Sequence, residues 1–459
     1  MAERSRRQIA RRTVLEAAGG FAAAALVYGA YRIGSHRPAR EWEDVPEDRP
    51  LRFLAHRDDT ANGQRRLLID QWNAWHTRHR VEMVELPPIA DLQYSAIHAA
   101  LQAEDSAVDV VDLDVPWIAE FAAASHLEPF EDPEVDGFLP RPLATGRIDG
   151  ELFALPFNTN VGMLYYRKGG EPDYATGTLT ATEAASLTDW TALRQTIEWI
   201  LDANATFEGG IAMQLASYEG FTVNVWEYLL ANGVAVAADD GMIDFGERSD
   251  AADVLEDLAG DLHDEVREGA HVILQDALQH DEDESLAAFR DGRTPFLRHW
   301  PQAIRTLQSC ELDFTVGVVP MPGGVLGGGS LAVSAYSRRK NVSRSLVEFL
   351  TGATSQQLLF ERGGFAATRP EPYFDAIAQI ENGAVPTGGA CDVVSGPRPE
   401  ARELYKALTG EGPGSRPAVR RYPQFSRAFR DALHSKLESD DAPEFGGLEA
   451  RLNDAIEGK

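Results

Sequence analysis

The hydrophobic pattern first becomes regular at residue 51. Leu51-Arg52-Phe53-Leu54-Ala55 reads as a short strand, and the polar turn after it leads into a helical pattern carried by Leu67, Leu68, Trp72 and Trp75. Val81-Glu82-Met83-Val84-Glu85-Leu86 then alternates apolar and charged side chains until Pro87-Pro88 stops it. A helix over 91–102 and an apolar run over 108–113 follow. Strand, helix, strand, helix, strand is the order of a parallel sheet covered by helices. In such sheets ligands bind beyond the carboxyl ends of strands, where loops meet helix N-termini. The loops that qualify are 57–60, 114–117 and 158–162.

Past residue 160 the pattern changes to longer helices, over 190–203, 223–232 and 251–268, with fewer strands between them. This predicts a second, mostly helical α/β lobe. Another strand is expected over 314–320, ending in a Pro/Gly-rich crossing over 320–329. A chain that leaves one lobe, builds another and crosses back places its hinge at such points. The length of 459 residues fits two lobes, because single cores rarely grow past about 250 to 300 residues. No internal repeat and no low-complexity tract interrupts the pattern.

The first residues follow a different rule. Arg4, Arg6, Arg7, Arg11 and Arg12 precede a weakly apolar stretch over 14–31, broken by Glu16 alone. That is the layout of an export signal, and Arg11-Arg12-Thr13-Val14-Leu15 is similar to the twin-arginine signature. The stretch approaches the roughly 17-residue minimum for spanning a bilayer, so a cleaved signal and an uncleaved tether both stay open. Segment 1–34 is therefore read as a signal or anchor and 35–50 as a linker.

Composition narrows the function. Hydrophobic residues at 44% and charged residues at 25% describe a folded soluble chain. A formal charge of -29 repels the phosphates of nucleic acid and of anionic lipid, so neither is an expected partner. Cys310 and Cys391 belong to no CxxC or Cys/His cluster, and no metal or cofactor is expected. In an oxidising exterior the two cysteines could close one disulfide, and in a reducing compartment they would be separate thiols. No GxSxG, HExxH or P-loop pattern occurs, so an enzyme reading, such as a glycosidase with paired carboxylates, has no motif behind it.

Five segments in order carry a resemblance. They are the run from Asp109-Val110-Val111-Asp112-Leu113-Asp114 through Trp117 to Leu127-Glu128-Pro129-Phe130, then Gly150-Glu151-Leu152-Phe153-Ala154-Leu155-Pro156-Phe157-Asn158-Thr159-Asn160-Val161-Gly162 with Tyr165-Tyr166-Arg167-Lys168, then Tyr218-Glu219-Gly220, Arg298-His299-Trp300-Pro301, and Glu361-Arg362-Gly363-Gly364-Phe365-Ala366-Ala367-Thr368-Arg369. Together these resemble the family 1 extracellular solute-binding proteins of ABC importers, in the branch that binds trehalose, maltose and related oligosaccharides. The resemblance spans roughly residues 51–430. It implies a type II periplasmic-binding-protein-like α/β fold, with one lobe from 51–157 and 322–368 and the other from 158–321 and 369–459. It also implies a sugar clamped between the lobes, delivery to ABC permease subunits in the membrane, no catalysis, and a monomer outside the cytoplasmic membrane. Two alternatives stay open: a receptor reporting occupancy to a membrane signalling protein, and a binding protein for a non-sugar solute.

A sugar presents hydroxyls around its ring and a flat C–H face, so its site needs carboxylates or amides at the rim and aromatics above or below. Asp114, Asn158, Asn160 and Glu219 are the candidate hydrogen-bonding residues, with helix capping as the plainer reading for Asp114 and turn formation for Asn160. Trp300 is the expected stacking surface, with Trp117 and Tyr218 behind it because many such rings fill cores. Arg57 and Asp58 sit in the first loop, and Arg369 stands where the family segment carries a basic residue. Where relatives often carry an aromatic in the Gly-rich crossing, this chain has Gly327-Gly328-Gly329-Ser330. A stacking platform is thus missing there, while Gly329 could bring its backbone amide close to a ligand.

Overall fold

Two sheets organise the chain. The computed structural model describes residues 49–58, 63–131, 135–234, 242–245, 248–309, 312–384, 398–410, 414–439 and 447–459. The expected export segment and nearly all of its linker, and both cysteines, lie outside the described residues. Among the described residues, no helix is long and apolar enough to cross a membrane.

The first sheet is built as the sequence pattern predicts. Strands β1 (Leu51–Ala55), β2 (Val81–Glu85) and β3 (Val110–Asp114) are parallel, with β1 in the middle. Helices α1 (Gln64–Trp75) and α2 (Ala90–Gln102) connect them. Strand β4 (Ala154–Val161) joins the sheet later, so the segment 158–162, expected as a loop, is mostly strand. Its chain then passes through Gly162 into β5 (Met163–Lys168), which belongs to the second sheet.

That second sheet departs from the expectation of a mostly helical lobe. It combines β5 with β6 (Gly209–Ala212), β7 (Ala270–Ile273), β8 (Phe296–His299) and β9 (Thr315–Pro320), in the spatial order β7-β6-β8-β5-β9. Each sheet has seven strands among the described residues. The missed strands, β6, β7 and β8, are four residues long and buried at every position. A strand covered on both faces shows no polar alternation, which removes the periodic signal. Between them lie α3 (Trp190–Ala203), at the predicted bounds, α4 (Glu219–Ala231) and α5 (Arg248–His263). Helix α5 stops five residues before its expected end, because Glu265–Arg267 turns at Gly269, φ +71°, to pair antiparallel with β7.

The return crossing is short. Strand β9 ends at Pro320, and β10 (Val325–Ser334) re-enters the first sheet between β3 and β4. The Gly-rich stretch read as a crossing is therefore itself strand over most of its length. Helix α4 is the other surprise, since every residue from Glu219 to Leu229 is buried. A helix covered all round should be apolar, yet this one carries Glu219 and Glu227. Each must find a partner, because an unpaired buried carboxylate is strongly unfavourable.

Candidate functional site

A cavity of about 1030 Å³ lies between the two sheets and takes side chains from both. Strand register assembles its first wall. Gly329 of β10 stands opposite Asp114 of β3 on one side and Asn158 of β4 on the other, and Gly327 stands opposite Asn160. Four of the predicted residues thus meet on three neighbouring strands although they are far apart in sequence. The Asn160 side-chain oxygen is buried with no hydrogen-bond partner among the described residues. Arg57 and Asp58 line the same wall from the loop after β1.

The glycines are dictated by closeness. A Cβ on Gly328, whose φ is +124°, would lie 2.3 Å from the Asn158 carbonyl oxygen, and one on Gly329 would lie 2.3 Å from Asp112 Oδ1. At Gly327 a Cβ would be 3.9 Å from the Trp300 ring and 3.5 Å from Arg416 Nη2.

The second wall holds the aromatics. Tyr218 precedes α4 and Trp300 follows β8, and both rings are tied to Glu282, the first residue of helix α6 (Glu282–Arg290). Trp300 Nε1 donates to Glu282 Oε1 at 3.1 Å and the Tyr218 hydroxyl donates to Glu282 Oε2 at 2.7 Å. Burial and then the Glu282 charge push the Tyr218 phenol well above its ordinary range, so it remains a donor. Burial pushes the neighbouring His299 imidazole down, keeping it neutral near pH 7. The guanidinium carbon of Arg298, on β8, lies 3.9 Å from the Trp300 ring centroid, giving the indole a cation neighbour.

Arg416 joins the walls. Its Nη1 and Nη2 donate to the two oxygens of Asp114 at 2.8 and 2.6 Å, and Nη1 also reaches Glu219 Oε1 at 2.9 Å. Ser426 at 2.6 Å and the Tyr422 hydroxyl complete the Glu219 carboxylate. Burial opposes charge on Arg416, but Asp114, and with it Glu219, override that effect and hold its proton more tightly than water would. Burial pushes the Glu219 carboxyl up, against the pull of Arg416. A second ion pair, Arg430 to Asp91 at 2.6 Å, connects helix α7 (Tyr422–Leu437) to α2.

Two predicted residues are not brought to the cavity. Trp117 lies in a short turn after β3 and is 3% exposed, its ring 5.6 Å from Tyr94 and 6.3 Å from His56. Pro116 turns the chain so that the indole packs into the core. Arg369 donates to the carbonyls of Thr351 and Asp136, both at 3.0 Å, and covers Phe138. Those contacts hold it on the flank of the first sheet.

Other lining residues escaped the sequence reading. Arg65 is buried between the rings of Phe157 and Phe365 and donates to Asn158 Oδ1 at 3.0 Å. Its one signal was its place on the α1 face defined by Leu68, Ile69 and Trp72. Glu282 was hidden in the acidic run 281–284, and Arg416 had no local pattern at all.

A family model described as bacterial extracellular solute-binding protein matches residues 69–385. A Deinococcus radiodurans protein named as a probable ABC transporter-binding protein is 26% identical over 395 residues, covering 82% of this chain and 85% of its own. Among solved structures, the maltose-bound MalE3 of T. maritima matches 89% of this chain and 99% of its own at 22% identity, with a TM-score of 0.73. A Thermotoga lettingae solute-binding protein holding alpha-D-tagatose matches 89% of this chain and all of its own, 100%, at 20% identity, with a TM-score of 0.70. An Agrobacterium vitis protein with bound D-mannitol matches 89% and 96% at 16% identity, with a TM-score of 0.65.

Proposed function

The chain belongs to the bacterial extracellular solute-binding proteins, and from that premise we propose that it captures a sugar or sugar-like polyol in the cavity between its lobes and delivers it to an ABC importer. The observation that carries this reading is the pairing of unlike walls. One wall offers Trp300 and Tyr218, held in place by Glu282, while the other offers Asp114 on β3 and Asn158 and Asn160 on β4. An apolar ring face opposite an array of hydrogen-bonding groups suits a molecule with hydroxyls at its edge and C–H bonds on its face.

Each residue then has a defined task. Trp300 stacks on the ring face, Asn160 uses its free oxygen to accept from a hydroxyl, and Asp114 accepts through lone pairs that Arg416 leaves open. Arg416 and Arg430 connect the walls. A ligand touching both walls favours the closed arrangement by the difference in its affinity for the two arrangements. The relatives noted above hold maltose, tagatose or mannitol, and the D. radiodurans relative is named for an ABC transporter, which supports both halves of the reading. The protein works outside the cytoplasmic membrane, exported by its N-terminal segment, and performs no chemistry on its ligand.

A thermal-shift panel of mono-, di- and oligosaccharides and polyols, followed by calorimetry, tests this. A ligand at 100 times its dissociation constant adds about 2.7 kcal/mol of stability, a readable shift. Silence across the panel from folded protein, with a shift from an amino acid or phosphate instead, would overturn the sugar assignment.

A further inference from the structure

We infer that Glu227 is a positioning residue for ligand capture, holding the chain's two crossings and the support of Trp300 in one buried contact. This rests on the reading of the cavity as a site that closes on its ligand. Glu227 lies two turns beyond Glu219 on α4, and both it and Arg298 are fully buried, each 0% exposed. The pair is bidentate: Arg298 Nε donates to Glu227 Oε2 at 2.6 Å and Nη2 to Oε1 at 2.8 Å. The remaining Nη1 donates to Gln214 Oε1 at 2.9 Å, so the guanidinium is held on every side.

The same carboxylate reaches the crossings. Val325, the first residue of β10, donates its N–H to Glu227 Oε1 at 2.9 Å. At the first crossing, a Cβ on Gly162 would lie 2.2 Å from Glu227 Oε1. At the second, a Cβ on Gly323, whose φ is +67°, would lie 2.3 Å from the Glu227 carbonyl oxygen. The crossings also touch each other, with Met321 N donating to Gly162 O at 3.1 Å. Both glycines are thus required by closeness to one residue, and the chain passes from sheet to sheet and back against Glu227.

On its other side the pair meets the cavity wall through Trp300, whose ring lies against Arg298. A group stacked on Trp300 therefore rests on a guanidinium whose counter-ion also fixes the entry to β10. The two carboxylates of α4 divide the work: Glu219 is held by Arg416 at the cavity, and Glu227 is held by Arg298 at the crossings.

The test is hydrogen exchange of the full chain without ligand, comparing the wild type with Glu227→Gln. The substitution keeps the shape and removes the charge. The expected result is exchange at least tenfold faster in the peptides that contain Val325 and Trp300, with β1 and β2 within twofold of the wild type. A side chain that merely stabilises the fold would accelerate all of these peptides together, and that outcome, or no change at all, overturns the inference. If Glu227→Gln does not fold, the neutral pair E227Q/R298Q is measured with the same criteria. The sugar reading is judged separately by the wild-type thermal-shift panel. Its failure leaves the local exchange pattern to stand or fall by itself.

Discussion

Replacing Arg416 with methionine keeps most of the aliphatic stem and removes the cation from between two carboxylates. The side chain is 4% exposed, against 16% for Asp114 and 10% for Glu219. Removing one partner of a buried ion pair costs about 3 to 5 kcal/mol, most of it from the charge left behind. Asp114 can recover some hydration at its exposure, so the lower part of that range, about 3 kcal/mol, is expected here. The loss is read by urea unfolding followed by tryptophan fluorescence at pH 7.5, as a lower midpoint at unchanged slope.

The pH dependence makes this prediction sharper. Glu219 already has its carboxyl pushed up by burial, and Arg416 is the largest influence pulling it back. Without that cation its folded value rises further above the unfolded one. A group raised in this way contributes stability that is present below the unfolded pKa, near 4.5, and lost as pH rises through the folded value. The gap between Arg416→Met and the wild type should therefore narrow when unfolding is repeated at pH 5. A deficit under about 1 kcal/mol at pH 7.5 would refute the assignment of Arg416 as the buried bridge. A deficit that widens on acidification would refute the role given to Glu219.

Two tryptophan substitutions separate the cavity from the core. Trp300→Ala should weaken binding of whichever sugar the panel identifies by about 2 kcal/mol, roughly 30-fold, because a stacked aromatic anchor is lost; calorimetry showing unchanged affinity would remove Trp300 from the site. Trp117→Ala should do the reverse, costing about 3 to 5 kcal/mol in urea unfolding as a buried ring leaves a void, while the affinity of folded protein stays within twofold.

What the sequence revealed follows from which signals are local. The first sheet was legible because β1 and β2 have turn residues at their ends and helices of clear period between them. Trp190–Ala203 was found at its observed bounds because its buried positions, Trp190, Leu193, Ile197 and Ile200, keep helical spacing. The second sheet was not legible, since four-residue strands buried on both faces look like any short apolar run. Among the predicted residues, Asp114, Asn160 and Glu219, which stand on recognisable loops or strand ends, line the cavity. Trp117 was misplaced because a ring three residues past a strand end can turn either up to a cleft or down to a core, and composition does not distinguish them.

The residues missed altogether are those whose role exists only in a pair. Hydrophobic periodicity tells which face of an element is buried, but it is silent about which charge will meet which. Arg416 and Glu219 are 197 positions apart, and Arg298 and Glu227 are 71 apart. Helix α4 is where this limit matters most. Its two glutamates look like surface positions in an otherwise apolar helix, yet burial on all sides makes each one demand a cation. Eight residues at 1.5 Å of rise place them about 12 Å apart on one rigid rod. A residue of the cavity wall, Glu219, and the residue beside the chain crossings, Glu227, are therefore carried by a single helix.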